Sequence, residues 1–365
     1  MTMALVDLRS DTVTRPTPAM RAAMAQAEVG DDVIDVDPTV ERLEQRVAQR
    51  LGKPAAIYMP SGSMTNQIAV RIHCQPGDEF LCEANCHIYN YEQGAFAQLS
   101  GLVARTVEGQ FGVLRRSQLE GLIRPENDHQ VRTRLVCLEN THNRGAGRVQ
   151  PYDEVVAICQ WARAHGLRTH LDGARLFNAA VASGIDVAAW AAHFDTVSVC
   201  FSKGLGAPVG SALAGPADLI RQARRHRKVF GGGMRQAGII AAGALYALEN
   251  HVERLVVDHQ HAQQLAEAVR ESPGLELQPD QVDTNIVIFH VDPGLGTAVE
   301  LVARLRDEGV WMLAVAPQLI RAVTHLDVDP AGVQQAAAAI RQAAQRLAAG
   351  RVPPRDRQRH GGDGR

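Results

Sequence analysis

The sequence predicts an α/β protein, with a mostly parallel sheet in a large first domain and a smaller α+β unit at the carboxyl end. From Pro38 to about Gly215, short apolar strand-like segments alternate with helix-like segments, which is typical of a parallel sheet covered on both faces. From Gly232 onwards the alternation changes and an Ala-rich helical stretch begins. The length of 365 residues exceeds one average domain and agrees with two units.

The first clear element is a helix that begins at Pro38. Asp37 is a favourable N-cap, and proline is tolerated at the first helical position because its missing N–H would have no partner there. Apolar residues then recur at helical spacing up to Leu51, and Gly52 ends the helix.

Six strands are predicted after this helix, because each segment is a short, nearly continuous apolar run. They cover residues 55–59, 79–83, 102–106, 133–140, 167–172 and 195–201. The segments between them have helical patterns. These helices cover residues 64–74, 88–99, 152–166 and 175–184.

The second unit is predicted to open with a helical stretch that runs to Arg270. Apolar and amphipathic segments follow at residues 284–291, 298–309, 310–317 and 319–328, and a terminal helix covers 330–350. We therefore predict a large domain over residues 1–249, which includes an N-terminal arm, and a small α+β domain over 250–350. The polar, Pro- and Gly-rich residues 351–365 are predicted to be a disordered tail.

Composition argues against several classes of protein. The net charge is −2, and the densest basic segment, residues 221–228, is too local to indicate nucleic-acid binding. Neither a signal peptide nor a membrane span is predicted. The six cysteines form no C-x-x-C pair, and Cys82, Cys86 and His87 lack a second ligand cluster. We expect buried free thiols in a cytoplasmic protein and no metal site.

Polar residues follow five of the predicted strands, at the edge where parallel sheets bind ligands. Each has an ordinary interpretation, such as helix capping or surface exposure, and for several residues taken alone that interpretation is the better one. Their convergence from distant parts of the chain favours a binding site. They are Gly62 and Ser63, His87, His142, Asp172 with Arg175, and Lys203.

Asp172 and Lys203 together indicate a particular chemistry. An aspartate can hold a protonated pyridine nitrogen, and a lysine can form a Schiff base. With an anion cradle at Gly62 and Ser63 and a ring to stack, they describe a pyridoxal phosphate site. The glycines around Lys203 also suggest a close approach of the backbone to a ligand. A dinucleotide or nucleotide triphosphate site is disfavoured, because the G-x-G-x-x-G and G-x-x-x-x-G-K-[ST] fingerprints are missing from the expected places.

Nine dispersed motifs, in order along the chain, resemble those of the low-specificity L-threonine aldolases. This is a pyridoxal-phosphate-dependent family of the aspartate aminotransferase fold class, also called fold type I. The resemblance covers roughly residues 5–345. The motifs are "DLRSDTVTRPTPAM", "VGDDV", "DPTVERLE", "PSGSMTNQ", "ENTHNRGAG", "HLDGARLFNA", "SKGLGAPVGS", "GGGMRQAG" and "RAVTHLDV".

The resemblance implies catalytic roles for four residues. Lys203 would form the Schiff base with the cofactor, and Asp172 would pair with its pyridine nitrogen. His87 would stack on the cofactor ring. His142 would lie near the substrate's β-hydroxyl and is the first candidate for the catalytic base, with His87 second and a bound water also open.

The resemblance also implies how cofactor and substrate are held. Gly62 and Ser63 would bind the phosphate, with serine where the family more often has threonine. Lys228 and Arg235 would reach the phosphate region from a neighbouring subunit, so the site would lie at a dimer interface of a homotetramer. The substrate carboxylate would be held by Ser10, Arg175 and Arg321, and Arg175 is counted among the cofactor-binding residues as well.

The implied reaction is the reversible retro-aldol cleavage of L-threonine, L-allo-threonine and other β-hydroxy-α-amino acids to glycine and an aldehyde. One departure bears on substrate choice. Where the family commonly reads "GDDVYGEDPT", this chain reads "GDDVIDVDPT", so Ile34 replaces a tyrosine that lines the site. A less polar wall could favour bulky substituents on the β-carbon, as in phenylserine.

Other activities stay open at this stage. Within the same fold class they are a racemase, a β-eliminating lyase and a serine hydroxymethyltransferase, although no folate-binding motif is evident. From other classes they are a non-catalytic cofactor-binding protein and a dehydrogenase. Intact Lys203, Asp172 and His87 argue against the former, and the missing dinucleotide fingerprint argues against the latter.

Overall fold

The computed structural model describes residues 5–349, so the tail predicted over 351–365 lies outside the described residues. Its strands are β1 (Val6–Asp7), β2 (Ala55–Met59), β3 (Glu79–Glu83), β4 (Val103–Val107), β5 (Thr133–Glu139), β6 (Arg168–Gly173), β7 (Thr196–Cys200), β8 (Ser211–Gly215), β9 (Leu275–Leu277), β10 (Ile286–Val291), β11 (Val310–Trp311), β12 (Leu313–Ala316) and β13 (Leu319–Val323).

The helices begin with α1 (Pro18–Ala25) and end with α14 (Pro330–Ala349). Between them lie α2 (Pro38–Arg50), α3 (Gly62–His73), α4 (His87–Asn90), α5 (Ala95–Ser100), α6 (Arg116–Leu119), α7 (Tyr152–Ala164), α8 (Leu176–Ser183), α9 (Val187–Ala191), α10 (Ala217–Val229), α11 (Gly238–Asn250), α12 (Leu255–Arg270) and α13 (Ala298–Asp307).

A seven-stranded sheet, in the order β2-β8-β7-β6-β5-β3-β4, organises the first unit. Its neighbouring strands are parallel except where β8 pairs antiparallel with β2 and β7. The sheet is buried on both faces, since Val136 and Leu138 of β5 enter the largest apolar cluster while Leu135 and Cys137 enter another. The predicted mostly parallel, two-sided sheet is confirmed.

The second unit is built around a four-stranded antiparallel sheet in the order β12-β13-β10-β9. Helices α12, α13 and α14 supply apolar residues to its core. The N-terminal arm, which the sequence analysis counted with the large domain, packs here as well. Val6 of β1 pairs in parallel with Val310 of β11, and both Val6 and Leu8 are buried in the second core.

Three of the differences from the sequence prediction have a clear local cause or affect the large sheet. Strand β8 was not predicted, because its residues Ser-Ala-Leu-Ala-Gly are small and carry little apolar signal. The single helix expected over 88–99 is two short helices, because Gly94 takes a left-handed φ of 63° between them. The helical stretch up to Arg270 is likewise divided, into α11 and α12.

All six cysteines are buried and free, as predicted. Within residues 5–349, no helix is both long enough and apolar enough to cross a bilayer.

Candidate active site

The carboxyl ends of three neighbouring strands bring the predicted site residues together. Glu139 of β5 is in register with Asp172 of β6, and Asp172 is in register with Ser198 of β7. Lys203 follows three residues after the end of β7. Its ammonium is close enough to help lower the pKa of the Asp172 carboxyl. Distant sequence segments thus meet at one sheet edge, as expected for parallel strands.

Asp172 is a buried carboxylate that is held in the ionised form. Burial opposes its ionisation, but His87, Lys203 and a hydrogen bond from Asn66 nevertheless bring its pKa below the usual value. Asn66 Nδ2 donates to Oδ2 at 2.8 Å, and the Ala174 N–H donates to Oδ1 at 3.1 Å. A carboxylate fixed in this way suits a cationic partner.

Lys203 lies in a turn whose glycines are required by the chain's own packing. Gly206 and Gly210 have φ of +78° and +110°, which other residues rarely adopt. A Cβ on Gly210 would lie 2.2 Å from Tyr58 Oη. The expectation that these glycines serve a close approach to a ligand is therefore not needed to explain them. Within residues 5–349 the Lys203 ammonium forms no hydrogen bond or ion pair.

His87 is paired through one ring nitrogen only. Its Nδ1 lies 2.8 Å from Oε1 of Glu92, whose side chain is fully buried. The carboxylate can only accept, so Nδ1 carries the proton, and in the neutral form of the ring Nε2 has its lone pair available. Burial opposes the charged imidazolium, yet Glu92 and Asp172 raise the pKa of His87 above its usual value.

His142 is more enclosed than the sequence analysis expected. It is fully buried, and its Nδ1 accepts a hydrogen bond from the Gly145 N–H at 3.0 Å. Its Nε2 lies 2.9 Å from Glu83 Oε2 in a poorly aligned contact. Gly112 closes over the ring, since a Cβ there would lie 2.1 Å from it. Both nitrogens of His142 thus face groups of this chain.

Glu139 ties the two histidine segments together. Its Oε2 accepts from the His87 backbone N–H at 2.7 Å, and its Oε1 accepts from the Asn143 N–H at 2.8 Å. Asn143 in turn contacts Arg321, whose Nη1 donates to Asn143 Oδ1 at 3.2 Å. The imidazole of His87 and the guanidinium of Arg321 therefore belong to one connected site.

Two arginines from different units lie close together beside Asp11. Arg175 is buried and donates from Nε and Nη2 to the two Asp11 oxygens, each at 2.7 Å. Arg321 comes from β13, and its buried Nε has no hydrogen-bond partner among the described residues. Burial and the neighbouring Arg175 lower the pKa of Arg321. Two cations beside one anion leave this place suited to a second carboxylate.

Ser10 and the start of α3 complete the polar surroundings. Ser10 Oγ accepts from the Thr12 backbone N–H at 3.2 Å and from its hydroxyl at 2.8 Å. Gly62 and Ser63 are the first residues of α3, where N–H groups have no partner within the helix. Beside Gly62 lies the buried hydroxyl of Ser211, which has no hydrogen-bond partner in the part of the chain that the structure describes. This end of the helix therefore suits an anion.

Three predicted residues, Ile34, Lys228 and Arg235, lie away from the buried cluster on an exposed surface. The Ile34 side chain is 80% exposed. Arg235 pairs with Asp31 at 3.3 Å in the same loop as Ile34. Lys228 is exposed at the end of α10, and its Cδ would contact a Cβ on Gly233 at 3.1 Å. Within a single chain, these three residues therefore lie near one another and outside the buried cluster.

The sequence analysis missed several polar residues of the site. Glu83 and Glu139 are the last residues of β3 and β5, so reading the final strand residues as well as those that follow would have found them. Asn66 and Glu92 carried no such signal, because a helix and a turn bring them to the sheet edge. Asp11 was contained in the motif "DLRSDTV" without an assigned role.

The arrangement fits pyridoxal phosphate better than a metal ion. His87, Glu92 and Asp172 have ligand atoms within 4.8 Å of one another, which is compatible with a divalent cation. However, Asn66 Nδ2 already donates to both carboxylates, and the Lys203 ammonium adds positive charge. An unpaired lysine, an ionised buried aspartate and an anion-binding helix end match the aldehyde, pyridine nitrogen and phosphate of the cofactor.

Comparison with known proteins gives a consistent result. The beta-eliminating lyase family matches residues 7–292. Low-specificity L-threonine aldolase 1 of Arabidopsis thaliana is 41% identical over 348 residues, which cover 94% of this chain and 97% of that protein. The low specificity L-threonine aldolase of Escherichia coli (strain K12) is 41% identical over 335 residues, which cover 92% and 98% respectively.

Solved structures share the fold at lower identity. The threonine aldolase of Leishmania major has a TM-score of 0.80 at 21% identity and covers 93% of this chain and 99% of its own. Serine palmitoyltransferase of Sphingomonas wittichii has a TM-score of 0.76 at 17% identity, with coverages of 94% and 88%. The predicted fold type I architecture is confirmed.

Proposed function

Because the chain belongs to the beta-eliminating lyase family, and within it to the low-specificity L-threonine aldolases, we propose that it is a pyridoxal-phosphate-dependent L-threonine aldolase. It cleaves L-threonine, L-allo-threonine and related β-hydroxy-α-amino acids to glycine and an aldehyde, and the reaction is reversible. The observation that carries this proposal is the meeting of Lys203 with the ionised, buried Asp172 at adjacent strand ends.

The residues present divide the task of holding the cofactor. Lys203 would bind it covalently, Asp172 would hold its pyridine nitrogen, and Gly62 and Ser63 would bind its phosphate at the start of α3. When bound, pyridoxal phosphate supplies an electron sink for the pair of electrons released at the substrate Cα. The electron sink requires a protonated, positively charged pyridine nitrogen. Asp172 would stabilise that charge, because its lowered pKa keeps its own carboxylate negative.

The substrate carboxylate would be held by Arg175 and Arg321, with Ser10 at the edge. Asp11 fixes the Arg175 guanidinium, and the buried Nε of Arg321 has no other partner among the described residues. Burial strengthens charge-assisted hydrogen bonds and gives them directional geometry. The two arginines would therefore hold the carboxylate in one orientation, which limits how the amino acid can rotate about its other bonds.

His87 is the better candidate for the base that takes the β-hydroxyl proton. Glu92 holds its Nδ1–H, which leaves the Nε2 lone pair able to accept a proton. His142, the first candidate from the sequence, has both nitrogens directed at Gly145 and Glu83. We assign His142 to positioning the loop that contains Asn143.

A homotetramer with active sites at a dimer interface is part of the proposal. It is supported by the exposure of Lys228, Arg235 and Ile34 in a single chain, where each could reach a neighbouring copy. A cytoplasmic location also stays a prediction, supported by six buried free thiols.

The proposal is tested by supplying the cofactor-loaded protein with L-threonine, L-allo-threonine and L-phenylserine. We expect glycine and the matching aldehyde in equal amounts, with the aldehyde measured through a coupled reductase. Lys203→Ala should form neither product, whereas Lys53→Ala should be active, since Lys53 Nζ binds the Phe194 carbonyl far from the site. Formation of 2-oxobutyrate and ammonia from L-threonine would instead identify a β-eliminating lyase, and formation of D-allo-threonine, its Cα epimer, would identify a racemase.

A further inference from the structure

A buried chain of hydrogen bonds runs from α3 through the sheet to Asp172, and the proposed reaction does not use it. His73 Nε2 lies 2.8 Å from Thr196 Oγ1, and Thr196 Oγ1 lies 2.9 Å from His170 Nδ1. His170 Nε2 lies 3.1 Å from Asn66 Oδ1. Asn66 Nδ2 then reaches Asp172. Each of these residues is nine-tenths or more buried.

The secondary structure makes this alignment possible. His170 and Thr196 are paired in register on neighbouring strands, so their side chains lie side by side on one face of the sheet. Asn66 and His73 are seven residues apart on α3, which places both on the same face of that helix. The helix packs against this strand pair, so that His73 and Asn66 of α3 lie on either side of Thr196 and His170 in the series of hydrogen bonds.

When both histidines are neutral, the donors and acceptors of this hydrogen-bond chain can be assigned in only one way. Asp172 accepts, so Asn66 must present its amide nitrogen to Asp172 and its oxygen to His170. His170 Nε2 then carries the proton, and its Nδ1 accepts from the Thr196 hydroxyl. The Thr196 oxygen in turn accepts from His73 Nε2.

Both histidines are in the neutral form that this direction requires. Burial lowers the pKa of His170 to about 4, although Asp172 and a backbone hydrogen bond with Thr196 act in the opposite sense. Burial and the neighbouring His170 lower the pKa of His73 to about 3, although Asp195 acts in the opposite sense. At neutral pH each ring therefore has one N–H and one acceptor nitrogen.

Asn66 is the junction between this chain and the site. Its Nδ2 donates to Asp172 Oδ2 at 2.8 Å and to Glu92 Oε1 at 2.9 Å, and both carboxylates are buried. Glu92 holds His87 through the same Oε1. A flipped Asn66 amide would direct its oxygen at two carboxylates. The two carboxylates oppose such a flip by repulsion, and the His170 N–H adds to this because it would then face the amide nitrogen.

We propose that Asn66 is a positioning residue for the reaction, and that the one-way chain from His73 through Thr196 and His170 fixes its amide so that it holds Asp172 and Glu92 in place. This inference rests on the proposed function, because Asp172 is taken to face the pyridine nitrogen. Through Asn66, the hydrogen-bond chain reaches both Asp172, which would hold the cofactor, and Glu92, which orients His87.

The test compares the affinity of the apoprotein for two probes, pyridoxal 5′-phosphate and its 1-deaza analogue. The analogue keeps the aldehyde and phosphate but has a ring C–H in place of the nitrogen. The ratio of the two dissociation constants reports only on the group that faces the nitrogen. A change in folding or in general packing would weaken both probes alike.

Wild-type protein should prefer the natural cofactor at least about tenfold, since hydrogen bonds to charged groups have this strength. Asn66→Leu should reduce the preference by about tenfold or more, His170→Phe by several-fold and Thr196→Val by about twofold to threefold. His261→Phe is the matched control, because His261 is a buried histidine of the second unit outside the chain, and its ratio should equal that of wild type.

Wild type without a preference would overturn the role of Asp172 and the inference with it. If His170→Phe and Thr196→Val both keep the wild-type preference, the proposed role of the hydrogen-bond chain is wrong, while the role of Asp172 is unaffected. Should the variants fail to fold, a neutron structure of the wild-type holoenzyme decides the matter. A deuteron on His170 Nε2 with none on Nδ1 supports the chain, and a deuteron on Nδ1 contradicts it.

Discussion

The buried strand-end cluster around Asp172 and the exposed surface around residues 31–36 differ in how far one chain encloses their side chains. In the cluster, Asp172 and Glu92 each accept two or more hydrogen bonds from the same chain. On the surface, Ile34 is 80% exposed and Val229 beside Lys228 is 71% exposed. One chain thus holds both carboxylates of the cluster in place, whereas the surface has the features expected of an interface.

This difference separates two kinds of prediction. Changes in the cluster should act within one subunit and affect chemistry or stability directly. Changes on the surface should act on a neighbouring copy, so their effects should depend on assembly. The five predictions below test this division, from the largest expected effect to the smallest.

The two histidines of the cluster should differ most. His87→Phe keeps an aromatic ring but removes the proposed base, so kcat should fall by roughly 10²–10⁴-fold, the usual range for general base catalysis. His142→Phe should lower kcat far less per molecule of bound cofactor. Cofactor absorbance, measured for both variants, serves as the control. A greater loss of kcat from His142→Phe would reverse the assignment of the base.

The buried pair of Asp11 and Arg175 should stabilise the fold strongly. Asp11→Asn leaves Arg175 buried without a counter-charge, which should lower the free energy of unfolding by about 3–5 kcal/mol in urea titrations at neutral pH. The control is Asp327→Asn, whose partner Arg15 is exposed, with an expected loss below about 1 kcal/mol.

The Asp11 contribution should also depend on pH. Although burial opposes its ionisation, Arg175 lowers the pKa of Asp11 to about 2, from an ordinary value of 3.8. The stabilisation is therefore complete above the ordinary pKa and is lost as the pH falls through the lowered one. The stability difference between wild type and Asp11→Asn should narrow as the pH is lowered below 3.8. A difference that is constant over this range would contradict the ion-pair explanation.

The exposed surface is tested by mixing two inactive variants. If Lys228 serves a neighbouring active site, each mixed dimer has one intact site, with Lys203 from the Lys228→Ala chain and Lys228 from the Lys203→Ala chain. Denaturing and refolding the two variants together makes about half of the dimers mixed, so about a quarter of wild-type activity should return. Each variant refolded alone is the control. Activity that does not exceed the sum of the two controls would mean that Lys228 acts within its own subunit or not at all.

The smallest effect is expected at Ile34. Ile34→Tyr adds a hydroxyl and an aromatic face, which should change the ratio of kcat/KM for L-threonine and L-phenylserine by a few-fold, as pocket contacts of this size do. Ile34→Val is the matched control because it keeps the wall apolar. An unchanged ratio in Ile34→Tyr would remove Ile34 from the determinants of substrate choice.

The same division explains how much could be predicted from the sequence. Apolar runs and the polar residues after them identified β2 to β7 and Lys203, Asp172 and His87, because parallel strands end at one edge. The roles of these residues came from the resemblance to a family and stay proposals. Asn66 and Glu92 could not be predicted, because their positions depend on how α3 crosses the sheet and how the chain turns after α4.

Burial was the other property that the sequence did not reveal. Nothing in "ENTHNRGAG" indicates that Gly112, thirty residues earlier, covers His142. Nor does the sequence show that the N-terminal arm packs on the second unit, since the pairing of β1 with β11 and the hydrogen bond from the Val323 N–H to the Leu8 carbonyl bring it there. Both features depend on contacts between segments far apart in the chain.

The central claim is that Lys203 binds the cofactor, and the chain offers a direct test because it contains only three lysines, Lys53, Lys203 and Lys228. Borohydride reduction of the cofactor-loaded protein, followed by mass spectrometry of its peptides, should find the pyridoxyl group on Lys203 and on neither of the others. A pyridoxyl group on Lys53 or Lys228, or on no lysine at all, would contradict the account.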